Sequence, residues 1–80
     1  MDPEWHAEGP PAEPVEVAGP LALGSLVKLT GAAGTGGQAK LLIQDGAVRV
    51  NGVLETRRGR VITPGDVVEI EGRSFVVVAE

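Results

Sequence analysis

Two turn signals decide what the C-terminal half of this chain can become: Asn51-Gly52 and Pro64-Gly65-Asp66. Asn-Gly accepts the positive φ angles that both central positions of a type I′ hairpin turn require. In the second signal proline presets φ and glycine supplies the positive φ. Together with Gly72 they cut the segment into strands of only a few residues. Val48 and Val50 alternate with Arg49, so a strand that buries the valines turns Arg49 outward. Val53 and Leu54 then return antiparallel, and Arg60-Val61-Ile62 leads into the Pro-Gly turn. Val67-Val68-Glu69-Ile70 forms the next strand, Gly72 turns the chain again, and Phe75-Val76-Val77-Val78 closes the sheet.

Two short helices precede these strands. Leu23, Leu26, Val27 and Thr30 recur at i, i+3, i+4 and i+7, which predicts a helix over 21–30 ended by a positive-φ cap at Gly31. Gly24 weakens that helix by about 1 kcal/mol relative to alanine, so it must lean on tertiary packing. The second helix starts at a capping box of T-x-x-Q form, Thr35 to Gln38, in which threonine accepts from an early amide and glutamine reaches back. Ala39, Leu42 and Ile43 form its apolar face, and Gly46 closes it.

Residues 1–20 are of another kind. They hold five of the six prolines and five acids (Asp2, Glu4, Glu8, Glu13, Glu16), with no lysine or arginine. Such a composition buries too little apolar surface to offset chain entropy, so the segment is expected to be a disordered acidic tail, and 21–80 a single domain. Trp5 stands in that tail as an exposed residue, a weak dock onto the domain or an interaction anchor. A domain this small buries roughly 60% of its unfolded surface, and its margin of stability is thin. With one phenylalanine, no tyrosine and no cysteine, the core must be aliphatic, without disulfides or thiolate metal sites. The lone His6 lies in the tail, and no apolar run approaches the roughly 20 residues of a spanning helix.

The net charge of −4 has to be split by position. Residues 21–80 carry all seven basic residues against six acids, a balance of +1, with Arg57, Arg58 and Arg60 within one loop. Guanidinium forks match phosphate oxygens, so a displayed arginine cluster points to a polyanion. The blander account is a solvated loop paired with Glu55, Asp66 or Glu69, since such surface pairs are worth only about 0–1 kcal/mol.

In order, the first helix closed by Gly31, a hydroxyl cap, Ala39-Lys40-Leu41-Leu42-Ile43, Gly46-x-Val48-x-Val50-Asn51-Gly52 and Pro64-Gly65-Asp66-Val67-Val68 resemble the S-four RNA-binding domain, whose core is the αL motif. The resemblance covers residues 21–71. It is strongest to the small stand-alone bacterial members, the YbcJ-like proteins, through Leu26-Val27-Lys28-Leu29, Gly36-Gly37-Gln38-Ala39-Lys40, Glu55-Thr56-Arg57-Arg58 and the valine-rich end. Each piece alone occurs by chance; their joint order and spacing carry the match.

The resemblance implies an α+β domain, two short helices packed on a small, mainly antiparallel sheet of three to five short strands. It also implies that the second helix and the following hairpin present one positive face to structured RNA. Carried over residue by residue, the RNA-binding candidates are Lys40, Arg49, Asn51, Arg57, Arg58 and Arg60, with Lys28 a weaker one. Many members place arginines at the start of the second helix, where this chain has Gly36 and Gly37. The free amides of Gly36, Gly37 and Gln38 offer a phosphate a helix N-terminus instead. Asn51 has a competing use in turn geometry.

Two functions stay open from the sequence. One is a non-catalytic RNA-binding module for structured RNA, ribosomal RNA or ribosomal particles. The other is a protein-interaction module that docks to a ribosomal or other protein partner without direct RNA contact. Either way the expectation is a cytoplasmic monomer with no cofactor or metal, no DNA partner and no membrane. Catalysis is not expected: the fold contains neither cysteine nor histidine, and the glycine-rich run from Gly31 to Gly37 lacks the Gly-Lys-Ser/Thr ending of a phosphate loop. The acidic tail either screens the arginine face or merely solubilises the chain.

Overall fold

The computed structural model describes residues 12–80. The chain runs β1 (Glu13–Val17), β2 (Leu21–Ala22), α1 (Leu23–Leu29), α2 (Gly36–Gln44), β3 (Val48–Val50), β4 (Val53–Leu54), β5 (Val61–Ile62), β6 (Val67–Ile70) and β7 (Arg73–Ala79). Five strands form a mixed sheet in the order β1-β7-β6-β3-β4, and β2 pairs with β5 in a separate two-stranded sheet. The class is α+β.

Turn chemistry builds the antiparallel part. Asn51 and Gly52 take φ angles of 52° and 84°, and Val50 pairs with Val53 across them. Glu71 and Gly72, at 50° and 87°, make a second turn of the same kind between β6 and β7, with Ile70 opposite Arg73. In the Pro64-Gly65 turn, Gly65 has φ 101° and the Asp66 amide donates to the Thr63 carbonyl at 3.1 Å.

Alternation then sorts the side chains. Val48, Val50, Val68, Ile70, Phe75 and Val77 are buried on one sheet face, where they meet Leu23, Leu26 and Val27 of α1 and Ala39 and Ile43 of α2 in one core. Ile62 from β5 joins the same cluster. The sole phenylalanine is the largest of these side chains, and aliphatic residues supply the rest.

Two expectations need correction. The first helix begins at Leu23, because Leu21 and Ala22 pair antiparallel with Ile62 and Val61. In place of a preceding turn of helix, the Arg60 and Arg58 carbonyls accept from the Leu23 and Gly24 amides, at 2.8 and 2.9 Å. The tail was expected to lack structure through residue 20, yet Glu13–Val17 form β1, parallel to β7 with Val15 beside Val77. Alternation explains it: Val17 is buried and Val15 half-buried, and Arg73 clamps Glu13 with its Nη2 at 3.0 Å from both carboxylate oxygens. Pro14 fits because an outer strand can leave one side of its backbone unpaired. β1 thereby covers the side of β7 that would otherwise be an open edge. Trp5, His6 and the rest of the acidic segment through residue 11 lie outside the described residues.

Candidate nucleic-acid interface

The arginine loop, residues 55–60, is organised by one carboxylate. Glu55 follows β4, and its amide donates to the Val48 carbonyl at 3.1 Å, which anchors the start of the loop. Its side chain is turned inward, with 6% of the residue exposed. There Oε2 accepts from the Arg57 amide (3.0 Å) and Arg57 Nε (3.1 Å), while Oε1 accepts from Arg60 Nη1 at 2.9 Å. These bonds, the Arg57 side chain first and then Arg60, lower the Glu55 pKa from 4.5 to about 2. The same carboxylate raises the pKa of Arg57. The Arg60 amide closes a turn onto the Arg57 carbonyl at 3.2 Å.

Arg58 is left out of that arrangement. Its carbonyl caps α1, and its side chain lies across Gly24, where a Cβ would stand 2.9 Å from Arg58 Cγ. Gly24 is thus not merely a poor helix former. With no Cβ at this position, the Arg58 stem rests directly on the helix. Among the described residues no carboxylate pairs with Arg58 or with Lys28. Both line a cleft of about 300 Å³ together with Ser25, Gly36 and Gly59.

Thr35 caps α2 as expected, its Oγ1 accepting from the Gln38 amide at 3.1 Å. Gln38 reaches back one residue further than a reciprocal capping box requires: its Oε1 accepts from the Gly34 amide at 2.8 Å. The Gln38 amide is therefore already engaged. Gly36 and Gly37 have no acceptor for theirs among the described residues. Lys40 stands exposed on α2, away from the cleft lining.

On the hairpin, Arg49 is exposed on β3, with Leu54 opposite on one side and Glu69 on the other. Asn51 joins two turns. Its Nδ2 donates to Asp66 Oδ1 at 3.1 Å, and its Oδ1 accepts from the Val67 amide at 2.9 Å. Asp66 Oδ2 also accepts from the Thr63 amide at 2.9 Å, and that bond, followed by the one from Asn51, holds the Asp66 pKa below the ordinary carboxylate value. Both polar groups of Asn51 are thus used in tying the hairpin to the Pro-Gly turn.

The fold therefore divides the sequence candidates. Lys28, Gly36 and Arg58 meet at one cleft; Arg57 and Arg60 share Glu55; Arg49 and Lys40 stand apart on β3 and α2. Sequence reasoning missed Ser25, although its i, i+3 spacing to Lys28 puts both on one helical face. Among the described residues no group of three His, Cys, Asp or Glu side chains is placed to hold a metal ion. No described helix is long and apolar enough to cross a membrane.

YbcJ of Escherichia coli (strain K12) is 44% identical over 54 residues, covering 68% of this chain and 77% of that protein. RlbA of Bacillus subtilis (strain 168), whose name is "Probable ribosome maturation protein", is 46% identical over 59 residues, 72% of this chain and 83% of its own. The solution structure of E. coli YbcJ superposes with a TM-score of 0.65 at 34% identity, over 88% of this chain and 91% of that one. It is described as revealing an αL motif involved in RNA-binding. The S4 domain family model matches residues 18–78, from the end of β1 through β7, and the chain belongs to that family.

Proposed function

We propose that this protein is a non-catalytic, cytoplasmic RNA-binding module that recognises structured RNA, ribosomal RNA above all. The observation that carries the reading is that Lys28 and Arg58, which no carboxylate among the described residues pairs with, line one cleft on a fold shared with the αL motif of YbcJ. The ribosome-maturation name of RlbA supports a ribosomal target. Lys40 and Arg49, exposed on α2 and β3, add positive charge away from the cleft. Arg57 and Arg60 add to it with part of their charge offset by Glu55.

The mechanism is electrostatic and geometric. Double-stranded RNA hides its base edges in a deep, narrow groove, so a small rigid face reads phosphates, 2′-hydroxyls and shape. Among the described residues the one aromatic ring, Phe75, is 2% exposed and belongs to the core, so they offer bases no stacking platform. About four to six phosphate contacts give a log–log salt slope between roughly −3 and −5.

The test is binding of the full chain to ribosomal RNA fragments and a hairpin RNA over a salt series, beside an Arg57/Arg58/Arg60→Glu variant. Steep salt dependence that the folded variant loses is the expected result. Salt-insensitive binding, or binding the variant retains, would overturn it in favour of docking to a protein. The exposed Val53, Leu54 and Val61, each at least half accessible, are the surface such docking would use.

A further inference from the structure

Resting on the RNA-binding reading, we propose that the cleft between α1, the start of α2 and the arginine loop seats a single RNA phosphodiester, gripped jointly by Lys28 and Arg58. Three segments distant in sequence converge there: Ser25 and Lys28 from α1, Gly36 from α2, and Arg58 with Gly59 from the loop. The lining contains two cations and a hydroxyl, and no carboxylate, aromatic ring or side-chain amide. Such a set attracts a phosphate and offers a base neither a stacking surface nor an edge to pair with.

The surroundings are arranged so that these two cations keep their charge for a ligand. Glu55 lies in the same loop but directs both of its oxygens to Arg57 and Arg60. The Arg58 stem packs on Gly24, where an added Cβ would stand 2.9 Å from its Cγ, and Arg58 lines the cleft. A Cβ at Gly36 or Gly59 would meet no atom within 4 Å, so the glycines leave the space open. Gly36, whose amide has no acceptor among the described residues, lines the same space. In this arrangement Lys28 supplies a compact point charge and Arg58 a planar fork, complementary ways of holding one phosphate.

Counting phosphates tests the joint grip. Each phosphate neutralised contributes just under one unit to the salt slope. For a hairpin RNA, Lys28→Gln and Arg58→Gln should each lower affinity by about tenfold at low salt and flatten the slope by about one unit. The double variant should flatten it by about one unit as well, because the two cations share one ligand; flattening by two would overturn the shared seat. Gly36→Glu adds a fold-neutral arm. A carboxylate in the first turn of α2 favours the helix, yet it would fill the cleft with negative charge, so folding should be retained and RNA affinity should drop more than tenfold. Inorganic phosphate titrated into the full chain and followed by amide NMR should shift Ser25, Gly36 and Gly59 first.

The two readings fail differently. If the wild type binds RNA with steep salt dependence but these variants match it, while Arg49→Gln weakens binding, the RNA-binding reading stands and the cleft is refuted. If the wild type does not bind RNA, the functional reading fails, and the phosphodiester seat with it, whatever the phosphate titration shows. Phosphate shifts spread over Arg49 and Arg73, or absent from the cleft, would also overturn the seat.

Discussion

Gly24→Ala should destabilise this protein, against the expectation from helix propensity alone. Alanine at a helical position is worth up to about 1 kcal/mol over glycine, and Gly24 is the second residue of α1 with an ordinary negative φ. The added Cβ would stand 2.9 Å from Arg58 Cγ and 3.4 Å from Cδ, but 3.7 Å from the Arg58 carbonyl oxygen. The backbone therefore need not move, and the strain falls on the arginine stem, whose Cγ must retreat by about half an ångström to reach ordinary contact. Forcing a side chain off its rotamer costs about 0.5–1.5 kcal/mol and overpacking about 1–3 kcal/mol. The net is a loss of roughly 1 kcal/mol, or about 4–8 °C in Tm for a domain of this size. Urea and thermal denaturation of four proteins, wild type, Gly24→Ala, Arg58→Ala and the double variant, would read it. With Cγ and Cδ absent, alanine at 24 should stabilise, giving a coupling of about 1–2 kcal/mol between the sites. Equal stabilisation by Gly24→Ala in both backgrounds would show that Arg58 swings freely, and the argument that glycine fixes its position would be refuted.

Glu55 makes stability depend on acid. With its pKa lowered from 4.5 to about 2 in the folded protein, its stabilisation is complete above about pH 4.5 and fades as pH falls toward 2, because protons then bind the unfolded chain preferentially. The Tm difference between wild type and Glu55→Gln should shrink across that window, and a difference constant from pH 6 to 2 would contradict the assignment. Asn51→Ala should cost about 2 kcal/mol, from a left-handed backbone and two lost side-chain bonds; Asn51→Gly, which tolerates φ 52°, should cost about half as much by urea denaturation. Thr35→Ala removes the bond to the Gln38 amide and should lower stability by about 1 kcal/mol, while Thr35→Ser should be close to neutral in the same measurement.

Local features of this fold were legible in the sequence because their causes are local. Asn51-Gly52 turns where it does because both residues accept positive φ, and Thr35 caps α2 because a hydroxyl there reaches an amide three residues on. The valine alternation of β3 and the Leu23-Leu26-Val27 stripe of α1 each identify a buried face without knowledge of what covers it. The αL resemblance supplied the arrangement of helices and sheet, which the YbcJ structure shares.

What the chain order could not disclose is which distant backbone edges and charges meet. Glu13–Val17 reads as an acidic, proline-bearing tail, and becomes a strand because β7 presents an open edge and Arg73 sits where Glu13 can reach it. Leu21 and Ala22 fit a helical pattern until β5 competes for their backbone. The three arginines of the loop look equivalent in sequence, and only the fold separates them. Glu55, turned inward, holds Arg57 and Arg60, whereas Arg58 crosses the one residue of α1 without a side chain and lines the same cleft as Lys28. Residue type and spacing determined where this chain turns, caps and buries its valines, since those depend on neighbours a few positions away. Which of its cations remain available to a polyanion depends on contacts between segments tens of residues apart, and tertiary structure alone decided that.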